Sequence, residues 1–198
     1  AALKNEYAVT DPGAALECVP SSADRAVSPE RTAVLLRALA VLPHGVEAMD
    51  TDFPGLVQTS LNMGVVRLDD AGLHVTFSIR SSIASRKEML AQRVRATAAL
   101  AGGTVTERGV YPGWQYRRDS QFRETLLAAY KDLTGKDGVV EATHGGLECG
   151  LFMEKLPSLD AVSLGPDIPD IHSVRERLGV SSVARTYALV CEVLRRSV

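Results

Sequence analysis

Few residues in this chain are aromatic, and fewer still could form cross-links. Phe, Trp and Tyr make up 5% of 198 residues, and Trp114 is the single tryptophan. The three cysteines, Cys18, Cys149 and Cys191, are odd in number and far apart, with no CxxC pair. That excludes a disulfide framework or a zinc finger and favours a reducing, cytoplasmic compartment. No apolar run approaches the ~20 residues that a membrane helix needs. The opening AALKNEYAV has neither a signal-peptide apolar core nor an initiating Met, so a processed chain or a piece of a longer one is expected. Neither sign of charge dominates. The formal net charge is −2, without a basic run or an aromatic-rich RNA motif, which excludes an electrostatic footprint for nucleic acid. What remains, 45% hydrophobic and 23% charged residues, is an ordinary globular balance. The length suits one domain or two small ones.

Along the chain, residues 3–9 and 14–19 read as short strands around the turn Asp11-Pro12-Gly13. Ser28-Pro29-Glu30 then opens a helix with an N-cap, a proline at the first helical position and an acid in the first turn. Its stripe is Val34, Leu35, Ala38, Leu39 and Leu42, and Pro43 with Gly45 ends it. His44, in that stop, reads as a surface turn histidine. From Leu56 to Arg80 the pattern is that of two strands around Asp69-Asp70-Ala71-Gly72. In the second, Leu73, Val75, Phe77 and Ile79 alternate with His74, Thr76, Ser78 and Arg80, so Arg80 ends a strand on its polar face. It is either a solvated strand-end arginine or one facing a ligand. A one-residue slip exchanges faces, so the sequence leaves open whether Asn62 lies beside Arg80. Ser85 and Glu88 have capping-box spacing. They begin a helix carrying Met89, Leu90, Val94 and Leu100, closed by Gly102-Gly103, and 104–111 follows as a strand. The whole reads as an α+β layer with helices on one sheet face, its outer strands and helix offering an association surface.

The composition turns over at Tyr111-Pro112-Gly113-Trp114, which marks a domain boundary with Trp114 as a packing anchor. Ser120 caps a helix with Leu126, Leu127, Tyr130 and Leu133, ending at Gly135. Residues 139–143 and 159–165 read as strands. A final helix, capped by Ser181 or Ser182, carries Val183, Tyr187, Val190 and Leu194 at helical spacing. The alternation is that of an α/β fold, yet two strands cannot complete one and the region buries too little to stand alone. It reads as the tail of a larger fold.

The densest stretch is Thr143 to Ser173. Its Gly145-Gly146 turn lets backbone approach a ligand and leads to a helix start suited to an anion. His144 and Glu148 have the i, i+4 spacing of a metal pair, against which the intervening glycines imply a turn. His172 follows a loop stiffened by two prolines. Catalytic zinc wants about three protein ligands, and no second histidine or cysteine stands at a useful spacing. On residues alone this is a candidate site, an ordinary helix start and loop, or a self-sufficient hydrolase using His144, Glu148, Asp170 and His172.

The run HGGLECGLFMEKLPSLDAVSLGPDIPDIHSVRERLGVSSVARTYALVCEVL resembles the C-terminal end of bacterial aminoacyl-histidine dipeptidases, of the M20 metallopeptidase family that includes carnosinase. TSLNMGVV, HVTFSIRSS and YPGWQYR are similar to that family in the same order, so the resemblance covers nearly the whole chain. It implies an α+β lid-type region at 1–110, a lid and dimerisation domain in part, followed at 111–198 by the C-terminal part of an α/β zinc-peptidase catalytic domain. It implies two zinc ions per complete site, with His172 as the metal ligand matched here and the general base in an N-terminal half absent from this sequence. By the same resemblance Arg80 holds the substrate's C-terminal carboxylate, with Asn62, Gly145, Gly146 and Glu148 on the substrate side and Glu148 orienting the loop. The implied function is that of a fragment of a di-zinc dipeptidase acting on Xaa-His dipeptides, inactive alone. Its partners would be a dipeptide, the N-terminal half and a second copy through the lid. The alternative is a non-catalytic binding or dimerisation module of the same descent.

Overall fold

The fold is built around one long hairpin. In a computed structural model, whose described residues are 2–197, β2 (Val57–Asp69) and β3 (Gly72–Ser81) pair antiparallel from Thr59↔Ser81 to Asp69↔Gly72. The Asp69 carboxylate accepts from the Ala71 N–H at 2.9 Å and closes the turn, and Gly72 takes φ +134°. A bulge between Met63 and Val65 shifts the register midway. The short β1 (Gly45–Met49) pairs with the other edge of β2, giving a sheet ordered β1-β2-β3.

Alternation decides which face is covered. Leu61 pairs with Ile79 and Met63 with Phe77, so these side chains share a face. Onto it packs α3 (Ala84–Leu100) through Leu90 and Val94, with Leu42 beside them. Leu61 and Leu90 are fully buried, and each such side chain contributes roughly 1.5–3 kcal/mol. The opposite face carries Ser60, Asn62, Ser78 and Arg80, and among the described residues no helix packs over it. α2 (Pro29–Val41) starts as expected, the Ser28 hydroxyl accepting from the Arg31 N–H at 3.3 Å. α3 ends on Gly102 at φ +74° with the Gly103 N–H donating to the Ala98 carbonyl at 2.7 Å.

The second buried cluster joins α4 (Gln121–Thr134) to α6 (Val180–Arg196) through Leu126, Ala129, Leu189 and Val193, with Phe122, Tyr130 and Val162 around them. Ser120 caps α4 by accepting from the Arg123 N–H at 3.0 Å, and Gly135 ends it in the left-handed conformation. Asp160 reinforces this start from the far side of the chain, accepting from the Ser120 hydroxyl at 2.7 Å and the Phe122 N–H at 3.0 Å. Burial opposes ionisation of that carboxyl, but these two hydrogen bonds and the charges of Arg117 and Arg123 together hold its pKa below the usual range.

Several expected elements differ. Residues 2–6 form a short helix, α1 (Ala2–Glu6), and 14–19 form no strand. Residues 104–111, 139–143 and 159–165 form no strand either, because a strand is completed by a neighbour's hydrogen bonds and none is supplied among the described residues. Ser85 does not cap α3, which begins at Ala84 behind Ile83; Glu88 instead binds Arg95 and Gln92. Neither Ser181 nor Ser182 caps α6, whose N-cap is Gly179; the Ser182 hydroxyl ties the Gly179 carbonyl to the Asp167 N–H. The helically spaced Val183, Tyr187, Val190 and Leu194 are exposed, Tyr187 at 71%, while Leu189 and Val193 pack with Leu126 and Ala129 of α4. α6 is apolar on two sides, and the sequence could not say which side α4 takes.

Candidate functional site

Three stretches meet where the polar sheet face ends. Ser60 and Arg80 are direct partners across β2 and β3, and Asn62 pairs with Ser78 one step along. Directly opposed residues point to one face, so Asn62 and Arg80 are diagonal neighbours on it. Arg80 is exposed, and among the described residues its guanidinium has no carboxylate or other hydrogen-bond partner. Against this face comes the turn before α5 (Glu148–Lys155): His144 Nε2 lies 3.2 Å from Ser60 Oγ. Burial, and after it the positive charge of Arg80, hold the His144 pKa below the ordinary imidazole value, which favours the neutral ring.

Glycines allow this convergence. A Cβ on Gly113 would stand 2.6 Å from the Ser81 carbonyl oxygen and 2.7 Å from that of Ser82, and one on Gly150 3.2 Å from the carbonyls of Pro112 and Gly113. A Cβ on Gly146 would run into the Tyr111 ring, and the Tyr111 carbonyl accepts from the Lys87 ammonium. The end of β3, the Tyr111–Trp114 segment and the Gly145-Gly146 turn are thereby pressed together. Gly113→Ala is expected to lower the thermal midpoint sharply. Its side chain meets two main-chain oxygens that cannot move singly, a cost of about 1–3 kcal/mol, to be read by calorimetry against Gly165→Ala, an exposed site where a Cβ meets nothing, as a surface control.

Trp114 borders a cavity of ≈ 290 Å³, shared with Tyr116, Arg123, Glu141, Thr143 and Asp160. Arg123 is buried, donating to the Arg117 and Arg118 carbonyls at 2.5 Å each, with its guanidinium 4.8 Å from the Tyr116 ring centroid. These interactions brace the wall of the site.

His172 sits apart from this cluster in its own loop. It and Asp170 are, among the described residues, the non-glycine residues with positive φ, 64° and 56°, a backbone conformation that concentrates at functional sites. The loop is tied by the His172 N–H to the Glu176 carboxylate at 2.8 Å, the Ser173 hydroxyl to the Asp170 carbonyl at 2.7 Å, and Arg177 to the Asp170 carboxylate at 2.9 Å. Neither ring nitrogen of His172 has a protein partner among the described residues, so the imidazole is available as a ligand. No group of three His, Cys, Asp or Glu among those residues could hold a metal ion. His172 therefore fits one position of a metal centre, and the chain alone does not fit the whole. The set His144, Glu148, Asp170 and His172 is therefore no metal group among the described residues.

Sequence reasoning passed over Ser60 and Asp160. Ser60 was visible in principle, as the residue a correct hairpin register sets opposite Arg80. Nothing local announces Asp160, whose partners lie 38 and 40 residues away.

No family model matches the chain. It is 34% identical to the cytosol non-specific dipeptidase of Escherichia coli (strain K12), over 98% of this chain and 40% of that protein. The crystal structure of aminoacylhistidine dipeptidase from Vibrio alginolyticus superposes with a TM-score of 0.87 at 29% identity, over 98% of this chain and the C-terminal 40% of that one. Aminopeptidase PepT from Bacillus cereus ATCC 10987 shares the fold, with a TM-score of 0.60 at 20% identity over 82% of this chain and 44% of its own. The mixed α/β fold is that of the dipeptidase structure, and no helix among the described residues is long and apolar enough to cross a membrane. Over nearly all of its length the chain is similar to these two dipeptidases, and it spans about two fifths of each.

Proposed function

We propose that this chain is the C-terminal portion of a metallo-dipeptidase acting on Xaa-His-type dipeptides, in which it supplies the seat for the substrate's C-terminal carboxylate and one metal ligand. The observation that carries this reading is Arg80: an exposed guanidinium without an anionic partner, on the polar sheet face against which the Gly145-Gly146 turn closes. Its planar fork suits a carboxylate bidentately. Asn62 lies diagonally beside it, Gly145 and Gly146 bring backbone close, and Glu148, the first residue of α5, orients the turn. His172 would be one ligand of a two-zinc centre completed by residues outside this sequence, and zinc when bound supplies an activated water. We place the boundary between lid and catalytic portions near residue 110, where the sheet cluster gives way to that of α4 and α6.

Surface area favours a portion of an enzyme over a free-standing module. The chain exposes 14853 Å², whereas a folded monomer of 21.2 kDa exposes about 9,100 Å². The difference exceeds the roughly 1,600 Å² of an ordinary protein interface and includes the apolar side of α6. A complementary chain carrying the other three fifths of the dipeptidase fold would cover it, with self-pairing through the lid sheet as a further contact, in the cytoplasm.

Replacing Arg80 by Ala in the complete enzyme is expected to lower kcat/KM about ten- to a hundredfold, the worth of a charge-assisted pair, with zinc content unchanged. Arg80→Lys keeps the charge without the fork and should recover part of the loss. A dipeptide amide should be cleaved almost equally by wild type and Arg80→Ala. Equal losses on acid and amide would mean that Arg80 supports the sheet and does not read the substrate.

A further inference from the structure

The polar face holds more than the arginine. Ser60 stands directly across from Arg80, on the same side of the sheet, at the close spacing of opposed strand residues. Its hydroxyl is half-buried and is met from outside by His144 Nε2 at 3.2 Å, over a separation of 84 residues. A neutral imidazole offers one donor and one acceptor, and a hydroxyl that accepts from a ring N–H keeps its own proton to give away.

Resting on the reading of Arg80 given above, we infer that Ser60 is a second specificity-determining donor to the substrate carboxylate, and that His144 is the positioning residue that aims it. His144 in its Nε2–H tautomer donates to Ser60 Oγ, and Ser60 donates its hydroxyl proton to the carboxylate oxygen that the Arg80 fork leaves open. The carboxylate is thus gripped from both strands of the hairpin at once. The turn carrying His144 takes part in recognition through the serine, without touching the ligand itself. The depressed pKa of His144 supports this, since a neutral ring adds no second cation beside Arg80. A simple clasp between sheet and turn would need the same hydrogen bond but would be indifferent to what the ligand carries.

The test uses the complete enzyme, freed of zinc so that neither probe is cleaved, with alanyl-histidine and its C-terminal amide as probes, affinities being read by NMR titration of the backbone and the His144 ring. Wild type is expected to bind the acid about tenfold or more tightly than the amide, with shifts at Ser60, Arg80 and the His144 ring for the acid alone. Ser60→Ala should weaken acid binding several-fold and leave the amide unchanged, whereas Ser60→Thr, which keeps the hydroxyl, should retain the preference. His144→Phe should lose as much as Ser60→Ala, with no further loss in the double variant. His144→Gln, whose amide can hold the same hydroxyl, should restore most of it and guards against misfolding of the Phe variant. If Ser60→Ala and His144→Phe keep the full preference for the acid while Arg80→Ala loses it, the inference fails and the reading of Arg80 stands. If wild type shows no preference, the reading of Arg80 itself fails and takes the inference with it.

Discussion

Purified alone and given excess zinc, the chain is expected to hydrolyse no dipeptide. The expectation follows from ligand number. A catalytic zinc takes about three protein ligands and keeps one position open, and no three suitable side chains stand together among the described residues. His172 by itself could capture zinc only weakly, and its loop offers neighbours already engaged, Asp170 with Arg177 and Glu176 with the His172 N–H. Adding a separately produced polypeptide that carries the first three fifths of a dipeptidase should restore turnover, and a chelator should abolish it again. Chelator-sensitive hydrolysis of alanyl-histidine by the chain alone would overturn the assignment and point to a self-sufficient site.

In the complete enzyme, His172→Ala should remove about one zinc per site and reduce activity by two orders of magnitude or more. Losing a ligand lowers affinity for the metal, and a centre with one ion missing no longer activates its water. The fold should be nearly indifferent. His172 is exposed, its ring holds no protein group among the described residues, and alanine adds only the mild cost of a non-glycine residue at φ +64° that histidine already bears. Metal analysis by mass spectrometry and thermal unfolding of the metal-free protein separate the two effects. Full zinc content in the variant would reduce His172 to an ordinary loop residue, and a fall in the metal-free midpoint would mean that the ring packs in the assembled enzyme.

What the sequence disclosed depended on how far apart the interacting groups are. The starts of α2 and α4 were legible because Ser28, Pro29 and Ser120 act within one helical turn. The hairpin was legible because Leu73 to Arg80 alternate cleanly and its turn residues are local. Residues 139–143 and 159–165 have strand-like sequences, but pairing is a property of two segments and not of one. The capping box at Ser85 and Glu88 was a correct pattern overruled by context, since Arg95 and Gln92 take the Glu88 carboxylate instead. The face of α6 was unreadable for a different reason: two apolar stripes satisfy the same periodicity. Within the site, Arg80 could be placed on its face by alternation. Its register with Asn62 and Ser60 needed the bulge at Met63–Val65 to be located, and the approach of His144 needed the whole fold.

The uncovered side of α6 has a consequence for the chain's fate inside a cell. Val180, Tyr187 and Leu194 present to water what a finished protein hides, and this is the kind of surface by which chaperones and proteases sort unfinished chains. On the reading proposed above, a copy left without its complement would be short-lived, and its abundance would follow how quickly that complement covers α6.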